Sequence, residues 1–161
     1  MKTYIIPKGW HYSLHLPKLY DGVKKEFIIK VKPDNSWRYY FHSVDQIDIN
    51  KLWGIGFGNV LFDGPHTNSI RLGWNYNPNN DSINWWYYYY ENSIRNYDYL
   101  TTSFINEDIE FPFQLKDESF LIGNKEIPYI YPQDRTGYYL FPYFGGNRTA
   151  PHMIINKLEV N

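Results

Sequence analysis

The spacing of short strand-like runs is the feature that most constrains the fold of this chain. Runs rich in β-branched and aromatic residues recur along it, and Gly, Pro, Asn and Asp separate them. No window keeps apolar residues at helical spacing over three turns, and the best attempt, 44–53, supports one or two turns at most. The pattern therefore predicts an all-β protein.

We expect about twelve strands in one domain covering residues 1–161. Each strand is bounded by turn residues, and a chain of 161 residues fits one domain with its own core. Strands at this spacing are typical of an antiparallel two-sheet β-sandwich or jelly roll. The predicted strands are 10–15, 26–32, 36–43, 52–57, 68–76, 82–90, 96–102, 109–115, 119–122, 125–130, 137–144 and 152–160.

The run WWYYYY, from Trp85 to Tyr90, is the most unusual stretch. Successive side chains of a strand point to opposite faces of its sheet. Trp85, Tyr87 and Tyr89 should therefore continue the core line begun by Ile83. The other three aromatic residues of the run, and Asn84 before them, would lie on the second face.

A candidate binding face follows from the same alternation in neighbouring strands. Its side chains are of the kinds that stack on sugar rings, bond hydroxyls or carboxylates, and recur in protein interfaces. An exposed aromatic patch often marks a contact site. The alternative is that these residues cover an ordinary sheet surface and bind nothing. The predicted face consists of Arg38, Tyr40, His42, Arg71, Asn75, Trp86, Tyr88 and Tyr90.

Composition excludes several classes of protein. The chain has 16 Lys and Arg against 17 Asp and Glu, giving a formal net charge of -1. No overall field therefore favours nucleic acid or an anionic membrane as a partner. The chain has no cysteine, and no run approaches the length of a membrane-spanning helix. The N-terminus does not resemble a signal peptide, so an extracellular protein would be expected to leave the cell by another route, such as lysis.

Catalytic motifs are weak in the sequence. Asp45 and Asp48 lie three residues apart, which does not place two carboxylates on one strand face as a glycosidase requires. A polysaccharide lyase needs a base, often Tyr or His, and an Arg or Asn that neutralises a uronate carboxylate. Arg71, Asn75 and many tyrosines could serve, and His66 and His152 are loop candidates, but the Gln-x-His signature of alginate lyases is absent. We therefore predict no catalytic residues.

No zinc, nucleotide or other cofactor motif stands out. The glycines Gly54, Gly56 and Gly58 are not followed by a helical pattern, so they do not form a dinucleotide fingerprint. The sequence contains neither an HxH nor an HExxH motif. We predict no metal site and no cofactor.

Three stretches of the chain resemble a known family. They are KGWHYS, then DINKLWGIGFG with HTNSIRLGW, and finally LFPYFGGNRTAPHMIINKLEV. Together they resemble a concanavalin A-like, lectin/glucanase-type jelly-roll family of Bacteroidetes and their phages, including crAss-like phages. The resemblance implies two curved antiparallel sheets with a concave face that often holds glycan. In many relatives an Asp follows the His of the last block; here Met153 follows His152, which leaves a structural calcium ion without support.

The resulting hypothesis is a non-enzymatic binding or structural module. We expect a virion surface protein, either a capsid decoration protein or a tail-associated one, with weak glycan binding and an aromatic face that contacts other virion proteins or a sister copy in an oligomer. The alternative is a carbohydrate-binding module or a polysaccharide lyase-like protein acting on a uronate or glucan polymer, located outside the cell or on its surface.

Overall fold

The computed structural model describes residues 1–58 and 64–161, and strands dominate both ranges. Short helical segments also occur: 3₁₀ turns at Asn35–Trp37 and Val44–Ile47, and helix α1 at Gly64–Thr67. The strands of the described ranges, numbered β1 to β12 in chain order, are Lys2–Ile6, Lys18–Tyr20, Glu26–Lys32, Asn50–Phe57, Ser69–Asn77, Ser82–Glu91, Ile94–Phe104, Ile109–Leu115, Ser119–Ile122, Lys125–Pro128, Gly137–Leu140 and Ile154–Val160.

The strands form two six-stranded antiparallel sheets that pack as a sandwich. The first sheet has the order β1-β12-β3-β8-β9-β10 and the second has the order β2-β11-β4-β5-β6-β7. The first four strands alternate between the two sheets and pair with strands from the C-terminal part of the chain. In the first sheet, β12 lies between β1 and β3; in the second sheet, β11 lies between β2 and β4. This wrapping of the chain's two ends around each other is a jelly-roll arrangement, which confirms the predicted fold class.

Alternation along the strands builds the core between the sheets. In β3, Phe27, Ile29 and Val31 are buried. Lys30 and Lys32 point outward and form ion pairs with Glu110 and Asp108, respectively. Three tryptophans meet at the centre, with the ring of Trp37 4.0 Å from that of Trp74 and 5.8 Å from that of Trp85. Burying such rings supplies much of the apolar stabilisation of a small sandwich.

Strand β6 carries the six aromatic residues and sorts them as predicted. The inward-facing members pack in or against the core: Trp85, Tyr87 and Tyr89. The outward-facing members lie on the other face of the second sheet: Trp86, Tyr88 and Tyr90. Neighbouring strands cover both edges of β6, since it pairs with β5 on one side and β7 on the other.

Two predicted strands are wrong. Residues 36–43 form no strand, because the Asp34 carboxylate accepts a hydrogen bond from the Ser36 amide at 2.9 Å and starts a 3₁₀ turn instead. Residues 10–15 make only an isolated bridge between Tyr12 and Tyr143. Strands β1 and β2 were not predicted. Strand β10 ends at Pro128 and β11 ends shortly before Pro142, so both are shorter than predicted. Proline lacks the backbone N–H that strand pairing uses.

Candidate functional site

A groove of about 750 Å³ crosses the outer face of the second sheet. Outward-facing residues of β4, β5, β6 and β11 form its floor. Its walls come from the segment between β1 and β2, from α1 and the start of β7, and from the loop that follows β11. The groove is therefore built from parts of the chain that are far apart in sequence.

A β-bulge in β4 aims Lys51 into this groove. Lys51 pairs with Gly73 and Trp53 pairs with Leu72, so Leu52 is the extra residue of the bulge. Leu52 and Trp53 both point into the core, so the alternation of inward-facing and outward-facing side chains shifts by one residue across the bulge. Without the bulge, Lys51 would share the inward face of Trp53. Gly73, opposite Lys51, has no side chain, and an added Cβ there would come within 2.5 Å of the Ile49 Cγ2 atom.

The amine of Lys51 lies among aromatic rings and carbonyl groups. Its Nζ atom is 4.6 Å from the centre of the Tyr88 ring and 5.8 Å from that of Tyr143, and it donates a long hydrogen bond of 3.4 Å to the Gly145 carbonyl. Burial, followed by the charges of Arg71 and Arg95, lowers the pKa of Lys51 from 10.5 to about 7, whereas Asp48 opposes this shift. A large fraction of Lys51 is therefore neutral near pH 7.

Arg71 lies on β5, and its position depends on a glycine in the adjacent strand. It pairs with Gly54 of β4, where an added Cβ would come within 2.8 Å of the Arg71 Cγ atom. Its Nη2 atom donates a hydrogen bond of 2.7 Å to the Phe141 carbonyl, while its Nε atom is buried and has no partner in the described part of the chain. Burial lowers the pKa of Arg71 to about 10, so the guanidinium remains charged at neutral pH.

Tyrosine side chains lie next to Lys51 and Arg71. Tyr88 pairs directly with Arg71 across the sheet, and its hydroxyl lies 3.5 Å from that of Tyr90. Burial, followed by the neighbouring Tyr90, raises the pKa of Tyr88, and burial also raises the pKa of Tyr143 against the opposing effect of Arg71. These phenols therefore stay protonated at neutral pH and can donate hydrogen bonds or a proton.

The cations of the groove have no carboxylate partner within residues 1–58 and 64–161. The ion pairs found there involve the N-terminus and Lys25, Lys30, Lys32, Arg38, Lys116, Arg148 and Lys157. Lys51, Arg71 and Arg95 take part in none of them. Charged groups removed from water usually have a partner, so unpaired cations at the base of an open groove indicate a site for an anion.

Only part of the predicted binding face lies in the groove. Arg71, Tyr88 and Tyr90 line it, and His66 joins them from α1, with its ring 5.3 Å from that of Tyr90. The loop predicted around His66 is therefore partly helical, and residues 62–63 of that loop lie outside the described ranges. Trp86 points outward but lies beside the groove, against Tyr97 and Tyr99 of β7.

The remaining predicted residues lie elsewhere. Because residues 36–43 form no strand, Arg38 instead pairs with Asp81, and Tyr40 packs against His42 away from the groove. Asn75 is covered: its amide donates to the Ile47 carbonyl at 3.0 Å and accepts from Trp86. The ring of His152 contacts the Ser36 carbonyl through Nε2 at 2.9 Å, which is a structural role.

Sequence reasoning missed Lys51, Tyr143, His15 and Arg95, all of which line the groove. The bulge that turns Lys51 outward has no signal in the sequence, since strict alternation would have placed it with Trp53. Tyr143 lies near the end of the predicted strand 137–144, where no motif marks it as a site residue. His15 packs against Phe141 at 4.3 Å, and burial lowers its pKa.

The described residues contain no group of three or more His, Cys, Asp or Glu side chains placed to hold a metal ion. A structural calcium ion, which the sequence left open, therefore has no such donor set in this part of the chain. In the same ranges, no helix has the length and apolar character needed to span a membrane.

The protein is therefore an antiparallel jelly-roll sandwich with a groove on one sheet that is lined by basic side chains and tyrosines. Among solved structures, the chain is similar to a marine PL7 alginate lyase, AlyA1, from Zobellia galactanivorans, with a TM-score of 0.48 and 9% sequence identity. The match covers 89% of this chain and 64% of that one, so the protein spans less than two thirds of the lyase's length. No protein-family model and no curated protein sequence matches the chain significantly.

Proposed function

We propose that the groove binds a uronate-containing polysaccharide and cleaves it by β-elimination. The observation that carries this proposal is the presence of two basic side chains in one groove, the buried guanidinium of Arg71 and the amine of Lys51 beside the rings of Tyr88 and Tyr143. Arg71 stays charged, while the surroundings of Lys51 lower its pKa to about 7. A uronate presents a carboxylate next to an acidic carbon–hydrogen bond, and this site offers a fixed cation for the first and a neutral amine for the second. This is the lyase alternative of the sequence analysis.

The reaction requires a cation, a base and an acid. Arg71 neutralises the uronate carboxylate, which makes the proton on the adjacent C5 carbon easier to remove. Lys51, in its neutral form, takes that proton, and the electrons of the broken C5–H bond form the C4–C5 double bond. The C4–O4 bond breaks, and the leaving oxygen receives a proton from a tyrosine hydroxyl. We assign this proton to Tyr88, whose ring lies closest to the Lys51 amine.

The direction of the pKa shifts supports these assignments. A base must be unprotonated at the working pH and an acid must be protonated. The environment lowers the pKa of Lys51 and raises that of Tyr88, although the two groups are neighbours. Groups whose pKa values are pushed apart in one site are the usual acid and base of a reaction.

A panel of polymers tests the proposal. The purified protein is incubated with polyglucuronate, polymannuronate, polyguluronate and polygalacturonate, and with the same polymers after reduction of their carboxyl groups. We expect at least one polyuronate to give oligosaccharides with an unsaturated terminal residue, detected by ultraviolet absorbance and mass spectrometry, and the reduced polymers to give none. Saturated reducing ends would indicate hydrolysis instead, and the absence of any cleavage would contradict the lyase proposal.

The virion-surface hypothesis remains a separate proposal, favoured by the exposed edge of the second sheet. Strand β7 is an edge of the second sheet, and it exposes Ile94, Tyr97 and Tyr99, which suit contact with another protein. Co-purification with virions at a fixed copy number would support this role. Absence from purified virions of a phage that encodes the chain would contradict it.

A further inference from the structure

Arg95 is a third cation of the groove. It lies at the start of β7, opposite Tyr90, and its side chain is exposed. Its guanidinium carbon is 5.6 Å from the centre of the Tyr97 ring. Within the described ranges it forms no ion pair. An arginine placed over a ring and free of a carboxylate partner is well suited to bind an anion, because its planar fork is already oriented.

Strand register fixes the position of Arg95 relative to Arg71. Arg71, Tyr88 and Tyr97 form one row across β5, β6 and β7, and Ser69, Tyr90 and Arg95 form the row two residues further along. The usual strand spacing and rise place the Cα atoms of the two arginines about 12 Å apart, on a diagonal across the sheet. The outward-facing Tyr88 and Tyr90 lie between them, as a floor on which sugar rings can stack.

The two arginines also act on the amine of Lys51. Arg71 and Arg95 both lower the pKa of Lys51, so their charges are felt at its amine. Among the described carboxylates, Asp48 raises the pKa of Lys51. Asp48 also accepts a hydrogen bond from the Asn147 amide at 3.3 Å. A ligand with a single negative charge would neutralise one arginine and leave the other. A ligand with anions at intervals along its length would neutralise both.

We infer that Arg95 forms a second carboxylate subsite, and that the ligand is a polymer that carries a further uronate on the Arg95 side of the residue held by Arg71. This inference rests on the proposed function of the groove and specifies its substrate class. The polymer runs diagonally from β5 toward β7, with one carboxylate on Arg71 and another on Arg95. A polymer whose uronates are widely separated by neutral sugars would not engage both arginines.

Binding of oligouronates of increasing length tests the inference. Calorimetry measures the Kd of the wild type, Arg95→Gln and Arg38→Gln for oligosaccharides of two to six residues from each polyuronate. We expect the affinity of the wild type to rise once the oligosaccharide reaches both arginines. Arg95→Gln should lose roughly five- to tenfold in affinity for the longer oligosaccharides, as for one partly solvated ionic hydrogen bond, and little for the shortest. Arg38→Gln, which lies outside the groove, should match the wild type at every length.

The outcomes separate this inference from the lyase proposal. Equal affinities of Arg95→Gln and the wild type at all lengths would overturn the second subsite, even if unsaturated products form. A length-dependent loss without any unsaturated product would support the subsite and contradict the lyase. Failure of the wild type to bind any oligouronate would overturn both. Arg95→Lys should restore part of the affinity, because it keeps the charge but not the planar fork.

Discussion

At the scale of single residues, Lys51 is the most informative position in the molecule. Its amine lies between two tyrosine rings, beside Arg71, and carries a pKa of about 7 instead of 10.5. Such an environment disfavours a charged ammonium, so the fold maintains it at a cost in stability. Strained or electrostatically unfavourable positions of this kind are concentrated at functional sites.

The pH dependence of the proposed reaction follows from this shift. Below pH 7 Lys51 is mostly protonated and cannot accept a proton, and above pH 7 it is mostly neutral. We therefore expect kcat/KM on a polyuronate to rise with pH and to level off above an inflection near pH 7. The raised pKa of Tyr88 keeps the proposed acid protonated throughout this range. Initial rates between pH 5 and 9 check the profile, and a rate independent of pH would argue against Lys51 as the base.

Replacing Lys51 with Met should make the protein more stable while removing the proposed lyase activity. Met has a similar length and no charge, so it relieves the repulsion by Arg71 and Arg95 and the burial of an ammonium group. We expect the free energy of unfolding to rise by about 0.5–2 kcal/mol, the usual gain when an unfavourable functional residue is replaced. Denaturant melts measure this value. A clear loss of stability would show that the amine has a structural role.

At the scale of elements, the bulge in β4 and the glycines around it shape the groove. Gly54 and Gly56 both lie on the outward face of β4 but have different surroundings. An added Cβ at Gly54 would lie 2.1 Å from the Ile70 carbonyl oxygen, whereas at Gly56 it would lie 3.3 Å from a methyl group of Leu140. The first contact involves rigid backbone and the second the end of a flexible side chain.

The pair Gly54→Ala and Gly56→Ala tests this difference. Gly54→Ala should destabilise the protein by about 2–4 kcal/mol and displace Arg71, because the strands must separate to admit the methyl group. Gly56→Ala should cost less than about 1 kcal/mol, since Leu140 can change its rotamer. Thermal melts of the two variants supply the comparison, and similar melting temperatures would contradict the proposed close approach of β4 and β5.

The sequence predicted elements well where local patterns decide them. The alternation in β3 and β6, including both faces of the aromatic run, follows from side-chain chemistry that is visible in the sequence. Residues 36–43 look equally strand-like, but the side chain of Asp34 starts a turn there, so Arg38, Tyr40 and His42 do not join the sheet. Lys51 enters the groove through an extra residue in the ladder, and only the pairing of β4 with β5 reveals it.

At the scale of the whole molecule, the jelly roll brings together groove residues that are distant in the chain. Segment 12–17, β4 to β7 and the loop after β11 all contribute, so neither a single motif nor a short window of sequence contains the site. The formal net charge of -1 likewise conceals the local excess of positive charge.

Salt should weaken the interaction between this groove and its ligand. The attraction between exposed Arg95 and a polyuronate is screened as ionic strength rises, whereas the partly buried Lys51 and Arg71 are affected less. We expect KM to rise several-fold between low and high salt while kcat changes little. Steady-state kinetics at several salt concentrations measure both constants. A KM independent of salt would contradict a binding mode based on charge.

The rate of unsaturated-product formation by the wild type and by Lys51→Met is the most direct test of the central claim, which assigns proton removal to Lys51. Both proteins are assayed at pH 8 on the preferred polyuronate, with Kd measured in parallel. We predict that the wild type forms the unsaturated product and that Lys51→Met binds the polymer but reacts about 10²–10⁴ times more slowly, the usual contribution of a general base. Equal rates for the two proteins would contradict the role of Lys51, and a wild type that forms no unsaturated product would contradict the lyase itself.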